Sequence, residues 1–202
     1  MNVAVLASGE GTNLQALIDE VHRREGIAIV AVASDKPGAP ALGRARAAGV
    51  PTESFARDRY ATREDRDRAI AEWLVARGAE LVVLAGYTQL VGSEFLERFP
   101  DRVINVHPAL LPAFPGLRAV HRAVEHGVKV FGVTVHFVDT GMDTGPVIFQ
   151  RAVELPDATD PSQVAERLRP IEHELLPEAV RLIARGAVRL DPANPRRVLI
   201  DR

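Results

Sequence analysis

The chain has 202 residues, of which 47% are hydrophobic and 26% charged, as expected for a folded globular protein large enough to bury a continuous core. Its formal net charge of −2 offers no basic field to nucleic acid or an anionic membrane, and no stretch approaches the roughly 20 apolar residues of a membrane-spanning helix. The absence of cysteine excludes disulfides, iron–sulfur clusters, thiolate zinc sites and cysteine nucleophiles, and it leads us to expect a cytoplasmic protein.

Short apolar runs alternate with helical patterns in the first half of the chain. Strands are predicted at four apolar runs, over 3–7, 27–33, 81–85 and 103–106. Helices are predicted between them from apolar residues at helical spacing, over 14–21, 41–48 and 62–77. Apolar strands separated by helices are typical of a parallel sheet covered by helices on both faces.

The second half of the chain has a different pattern. Strands of alternating polarity are predicted over 128–138 and 147–155, and such alternation is typical of antiparallel strands. Asp160 and Pro161 have the residue types of a helix N-cap and a first helical position, so a helix is predicted from there to about Gly186. The predicted fold class is therefore α/β, with a mostly parallel sheet and antiparallel strands in the C-terminal half.

Prolines and turn-forming residues modify this C-terminal part. Pro170 and Pro177 lie inside the predicted helix, and we expect at least one of them to kink or break it. The chain from Asp191 onward is rich in turn-formers, and residues 198–200 are predicted as an edge strand.

The first strand is followed by a turn that is suited to an anion. The glycines of residues 8–13, Ser-Gly-Glu-Gly-Thr-Asn, allow a sharp turn and a close approach of backbone N–H groups to a ligand. Thr12 and Gln15 have the spacing of a capping box, which predicts that a helix begins here with its positive dipole end toward the turn. Phosphate is the expected ligand, although Leu14 stands where a dinucleotide motif would need a third glycine.

The segment 105–112, Asn-Val-His-Pro-Ala-Leu-Leu-Pro, carries the residues most suited to catalysis. Asn105 and His107 end a buried strand, where alternation directs both side chains to one face. An amide and an imidazole side by side can stabilise an oxyanion and move a proton. The loop 141–146 contributes one carboxylate, Asp143, which would raise the pKa of His107 if it lay nearby.

Six motifs give the chain a resemblance to a known family. In chain order they are SGEGTNLQALID, LAGYTQLVG, INVHPALLPAFPG, GVTVHFVD, MDTGPVI and IEHELLPEAV. With these motifs the chain resembles the phosphoribosylglycinamide formyltransferases of the formyltransferase superfamily, from Met1 to about Leu190. The resemblance implies a Rossmann-like formyltransferase fold and formyl transfer from 10-formyltetrahydrofolate, as co-substrate, to the amine of glycinamide ribonucleotide in purine synthesis, without a metal.

The resemblance also implies a role for individual residues. The catalytic residues of the family match Asn105, His107 and Asp143. The turn that holds the acceptor's phosphate in the family matches Gly11, Thr12 and Asn13. The glutamate near the acceptor's glycinamide end matches Glu172. The folate site of the family matches Arg63, Thr88, Gln89, Leu90, Val91 and Asn105.

Some of these assignments have a plain structural alternative. Members of the family often have Met-Arg where this chain has Thr88-Gln89, and the effect on folate affinity depends on whether only the backbone binds the pterin. Glu172 could belong to a solvated helix face, and Arg63 could form a surface pair with Asp67 one turn later. For His136 we favour a structural role.

The resemblance leads us to expect one domain over residues 1–202. Within it, residues 1–100 would form the phosphate-binding half, residues 101–190 the catalytic and folate-binding half, and residues 191–202 a tail. The expected partners are the two small-molecule substrates, with no nucleic acid and no membrane, and both a monomer and a homodimer stay open.

Four other functions are weighed against this one. A formyltetrahydrofolate deformylase usually has an additional N-terminal regulatory domain, which is not expected here because the sequence starts at the first strand. A methionyl-tRNA formyltransferase usually has a C-terminal RNA-binding domain, and the net charge of −2 does not favour binding of tRNA. An NAD-linked oxidoreductase is disfavoured by the incomplete glycine motif. A non-catalytic binding protein would not need Asn105, His107 and Asp143 together.

Overall fold

The computed structural model describes residues 1–201, which form nine strands and six α-helices. The strands are β1 Asn2–Leu6, β2 Ala28–Ser34, β3 Thr52–Ser54, β4 Leu81–Leu84, β5 Val103–His107, β6 Val130–Phe137, β7 Val147–Glu154, β8 Val188–Asp191 and β9 Asn194–Ile200. The helices are α1 Thr12–Glu20, α2 Pro40–Ala47, α3 Arg63–Val75, α4 Ser93–Arg98, α5 Ala119–His126 and α6 Pro161–Ala184. Over these residues, no helix combines the length and apolar character needed to cross a membrane.

The chain divides into two compact units, and the first comprises Met1–Asn105. Its strands lie in the order β3-β2-β1-β4-β5 and every pair of neighbours is parallel, as the apolar runs predict. The four residues of β1 from Val3 to Leu6 have no exposed surface, because both faces of this central strand are covered. The carboxyl ends of β1 and β4 therefore lie side by side at one edge of the sheet, where parallel sheets bind ligands.

The second unit begins at Val106 and contains the antiparallel strands. β6 and β7 pair antiparallel from Val130 opposite Glu154 to His136 opposite Val147, which confirms the predicted pairing. The last two strands form an antiparallel hairpin, β8–β9, and β9 runs beside β7. The sequence predicts only residues 198–200 of this hairpin, because its other residues are mostly charged or turn-forming.

The predicted N-terminal cap is confirmed at α6 and is wrong at α1. At α6, the Asp160 side chain accepts a hydrogen bond from the Ser162 N–H at 2.8 Å and the next residue is proline, which confirms the predicted cap. At α1, the predicted capping box is wrong, since Gly11 is the N-cap in a left-handed conformation with φ 73° and provides no side-chain bond. The Gln15 side chain instead bonds Asp19.

α6 is one continuous helix of 24 residues, so neither Pro170 nor Pro177 breaks it, and the alternative of a kink stays a prediction. Each proline removes one backbone hydrogen bond from the helix. The buried face of the helix compensates, since its C-terminal half includes Leu176, Ala179 and Val180, none of which has exposed surface.

Candidate active site

His107 and Asp143 are brought together within the second unit. His107 is the last residue of β5, and Asp143 lies in the loop 139–145 with a positive φ of 54°. The His107 Nδ1 atom is 3.3 Å from Asp143 Oδ2, and the two side chains are only 6% and 14% exposed. The Gly116 N–H donates to the same carboxylate oxygen at 2.6 Å. The carboxylate is therefore fixed by the backbone as well as by the imidazole.

A second histidine contacts the other oxygen of the same carboxylate. His136, in β6, places Nε2 3.5 Å from Asp143 Oδ1, while its Nδ1 is 2.7 Å from the Phe137 carbonyl oxygen. A carbonyl oxygen only accepts, so Nδ1 of His136 carries a proton. From the sequence, a structural role is expected for His136. The sequence does carry one indication of a polar contact at His136, because a histidine between apolar neighbours in a buried strand needs a polar partner.

Both ring nitrogens of His107 face acceptors. Nε2 lies 2.9 Å from the Phe114 carbonyl oxygen, and Nδ1 faces the Asp143 carboxylate. A ring with an acceptor at each nitrogen is best satisfied when it is doubly protonated and positively charged. Burial has the opposite effect, because a buried ring loses the hydration of its charge.

The pKa values of this cluster differ in part from the sequence expectation. Asp143 acts to raise the pKa of His107, as expected, but burial has the larger effect and lowers the pKa below its ordinary value. Burial alone would raise the pKa of Asp143. The hydrogen bonds from His136 and the Gly116 N–H outweigh burial, and together with the charges of the two histidines they lower the pKa of Asp143 to about 2.

The loop 139–145 is held by its own side chains and by the C-terminal hairpin. Asp139 Oδ1 accepts hydrogen bonds from the Gly141 N–H at 3.0 Å and from the Thr144 hydroxyl at 2.6 Å. Arg196 of β9 donates to the Thr144 carbonyl oxygen at 2.9 Å. A Cβ atom at Gly145 would lie 1.9 Å from the Phe137 carbonyl oxygen, so only glycine fits there. The position of Asp143 therefore depends on a restrained loop.

The turn 8–13 lies in the first unit, between β1 and α1. Gly11 approaches α2 so closely that a Cβ atom would be 2.7 Å from Ala41 Cβ, and its φ is positive. Arg44 donates to the Glu10 carbonyl oxygen at 2.8 Å. Thr12 is half-buried and Asn13 is buried at the first two positions of α1. The first N–H groups of a helix have no intrahelical acceptor, so the turn can hold an anion.

The segment Thr88–Val91 follows β4 in the same unit. The Thr88 N–H donates to Ser8 Oγ at 2.9 Å, which connects this segment to the turn. Leu90 is 49% exposed, whereas Val91 is buried. Thr88 is exposed as well, so the segment presents one polar and one apolar side chain at its surface.

The remaining sequence-predicted residues lie on α3, β5 and α6. Arg63 begins α3 with its side chain 47% exposed, 3.2 Å from Glu64 and 4.0 Å from Asp67. Asn105 lies in β5 opposite Leu84, and Glu172 is half-buried on α6. Within residues 1–201, no group of three or more histidine, aspartate or glutamate side chains could hold a metal ion.

Comparison with known proteins identifies the family. The formyl transferase family model matches residues 1–180. Phosphoribosylglycinamide formyltransferase of Bacillus subtilis is 40% identical over 179 residues, which cover 88% of this chain and 92% of the relative. The trifunctional purine biosynthetic protein adenosine-3 of Gallus gallus is 39% identical over 96% of this chain, but the chain spans only 19% of that protein.

Solved structures lead to the same family. The crystal structure of glycinamide ribonucleotide transformylase 1 from Symbiobacterium toebii superposes with a TM-score of 0.94 and 45% identity, covering 100% of this chain and 94% of that one. The crystal structure of phosphoribosylglycinamide formyltransferase from Bacillus halodurans gives a TM-score of 0.87 and 36% identity, covering 91% of this chain and 95% of that one. On sequence and structure together, the chain belongs to the formyl transferase family.

Proposed function

We propose that the protein transfers the formyl group of 10-formyltetrahydrofolate to the amine of glycinamide ribonucleotide, a step of purine biosynthesis. The observation that carries this proposal is the His107–Asp143 pair in a chain that resembles phosphoribosylglycinamide formyltransferases over most of their length. The chain spans only 19% of the trifunctional relative from Gallus gallus, so no further activity of that protein is proposed for it.

The reaction needs an oxyanion site and a route for one proton. The neutral acceptor amine attacks the formyl carbon, a C–N bond forms, and the carbonyl electrons move to oxygen to give a tetrahedral intermediate. The oxyanion then collapses, the bond from carbon to N10 of the folate breaks, and the proton lost by the amine is gained by that nitrogen. Asn105 and His107 are the proposed donors to the oxyanion, and one such donor is worth about 3 kcal/mol of barrier in other enzymes.

The geometry of His107 suggests how it would act in this step. Its Nε2 proton points at the Phe114 carbonyl oxygen, so donation to substrate requires that this contact be exchanged for the oxyanion. Burial lowers the pKa of His107 in the free protein. A negative charge that develops beside the ring would raise its pKa again, so the charged imidazole is stabilised most in the transition state.

Asp143 would orient the imidazole and organise the transfer of the proton. Its Oδ2 atom faces His107 Nδ1, and its other oxygen faces His136. Its low pKa of about 2 keeps it ionised near neutrality. An ionised carboxylate stabilises the His107 cation and can hold a water molecule between the amine and the departing nitrogen.

The residues assigned to the two substrates are the turn 8–13 and the segment that follows β4, both in the first unit, and Glu172 in the second unit. The N–H groups at Gly11, Thr12 and Asn13 would bind the acceptor's phosphate. Glu172 would face the glycinamide end. The folate would bind along the backbone of Thr88–Val91, with Arg63 near its acidic tail.

A formyl-transfer assay with purified protein tests the proposal. The protein is incubated with 10-formyltetrahydrofolate in the presence and absence of glycinamide ribonucleotide, and both folate and ribonucleotide products are measured. Folate turnover that depends on the acceptor and yields formylated ribonucleotide supports the proposal. Folate hydrolysis without acceptor supports a deformylase. His107→Ala should reduce turnover by about a hundredfold or more. Unchanged turnover in this variant would refute the catalytic assignment.

A further inference from the structure

Helix α3 contains a buried ion pair that the proposed chemistry does not use. Arg66 and Asp67 are each only 2% exposed, and Arg66 Nη2 lies 3.4 Å from Asp67 Oδ1. Removing both charges from water costs several kcal/mol, which the attraction between them offsets only in part. An apolar pair of similar volume would often be at least as stable. The retention of two charges here therefore points to a role other than stability.

The carboxylate of this pair holds the backbone just after the Thr88–Val91 segment. Asp67 Oδ2 accepts a hydrogen bond from the Gly92 N–H at 2.9 Å. Gly92 is the N-cap of α4, and a Cβ atom there would lie 3.4 Å from the same oxygen. The approach is therefore close, and it fixes the end of the segment against α3.

The guanidinium of the pair reaches the interior of the same segment. Arg66 Nη1 donates to Gln89 Oε1 at 3.4 Å, a long and weak hydrogen bond. The Gln89 side chain is thereby directed toward α3. The segment is thus held at three points: at Thr88 by Ser8, at Gln89 by Arg66 and at Gly92 by Asp67.

The surroundings of Asp67 act on the pKa of its carboxyl in opposite directions. Burial raises the pKa of Asp67 above its ordinary value, even though the Gly92 N–H and Arg66 both act to lower it. Arg63, on the same face of α3, contributes only a contact at 4.0 Å. Loss of Arg66 would therefore raise the pKa of Asp67 further and weaken the hydrogen bond that its carboxylate accepts from the Gly92 N–H.

We propose that Arg66 and Asp67 are positioning residues that fix residues 88–92 in the conformation that binds the formyl donor. The inference rests on the proposed function, in which the backbone of this segment binds the folate. Neither residue touches a reacting group, because both side chains are buried beneath the segment. They set the affinity for the folate and leave the chemical step to other residues.

The test compares steady-state kinetics of Asp67→Ala and Arg66→Met with those of the unmutated protein. Each variant should raise the KM for 10-formyltetrahydrofolate about tenfold, as expected when a buried donor or acceptor loses its partner. The kcat and the KM for glycinamide ribonucleotide should stay within about twofold, because the phosphate turn and the catalytic cluster are untouched. Glu72→Gln is the matched control, since it neutralises an exposed carboxylate of the same helix.

A conservative variant separates positioning from folding. Asp67→Asn keeps an oxygen acceptor for the Gly92 N–H, and it should restore the folate KM to within about threefold of the unmutated value. It also provides the kinetic comparison if Asp67→Ala does not fold: a folate KM raised in Arg66→Met but nearly normal in Asp67→Asn supports the proposal.

Three outcomes would overturn the inference. The first is an unchanged folate KM in Arg66→Met, the second is a parallel rise of both KM values, and the third is a fall in kcat alone. Absence of acceptor-dependent turnover in the unmutated protein would overturn the proposed function, and the inference with it.

Discussion

Replacement of Asp143 by asparagine should change the way stability depends on pH. The carboxyl has a pKa of about 2, against an ordinary value of 3.8, and its side chain is only 14% exposed, so solvent screens it little. A pKa that is depressed in the folded state stabilises that state above the unfolded pKa, and the stabilisation is lost as the pH falls through the folded value. The difference between the two values corresponds to about 2 kcal/mol in the free energy of unfolding.

Urea unfolding of the unmutated protein and Asp143→Asn, at a series of pH values, measures this contribution. The free-energy difference between the two proteins should shrink by about 2 kcal/mol between about pH 5 and pH 2, because the variant has no carboxylate to protonate. Asp157→Asn is the control, since it removes an exposed carboxylate from the same unit. A difference that stays constant over this range would refute the assignment of the low pKa to the contacts of Asp143.

The same variant should alter the pH dependence of catalysis. Asp143 acts to raise the pKa of His107, so its loss lowers that pKa further. If the protonated imidazole is the active form, activity falls as the pH rises through this pKa, and the falling limb of the rate profile moves to lower pH in Asp143→Asn. A measured profile with an unchanged alkaline limb would contradict the coupling of the two groups.

Two further substitutions test the local structure. Gly145→Ala should lower kcat in the formyl-transfer assay more than about tenfold, because a Cβ atom 1.9 Å from the Phe137 carbonyl oxygen forces the Asp143 loop to move. Gly43→Ala is the control. No atom lies within 4 Å of its added methyl group, so this variant should be fully active. Thr62→Ala should lower the free energy of unfolding in urea by about 1 kcal/mol, because the hydroxyl oxygen caps α3 by accepting the Asp65 N–H at 3.0 Å. Thr62→Ser keeps a hydroxyl and should retain that stability. Equal losses of stability in both variants would exclude the cap as the cause.

The features that the sequence predicted well depend on neighbouring residues. The continuous apolar runs identify strands that are buried on both faces, and the Asp160-Pro161 pair identifies the start of α6. The alternation in β6 and β7 identifies an antiparallel pair. In these cases the residue types that favour an element also suit its place in the fold, so local patterns suffice.

The features that were missed depend on residues distant in sequence. The prolines of α6 are tolerated because its face is buried, and α1 begins at Thr12 as predicted but with Gly11, which closely approaches Ala41, as its N-cap. His136 contacts Asp143 only because a loop returns beside its strand. The buried Arg66 occurs in a run of charged residues that is typical of an exposed helix face. Tertiary contacts override local preference in each case.

The hydrogen bond from Arg196 to the Thr144 carbonyl gives the end of the chain an influence on Asp143. Arg196 lies beyond residues 1–180, the part that the family model matches, and its side chain is exposed. Substitutions in this hairpin can therefore change how tightly the loop 139–145 is held without altering the loop's own residues.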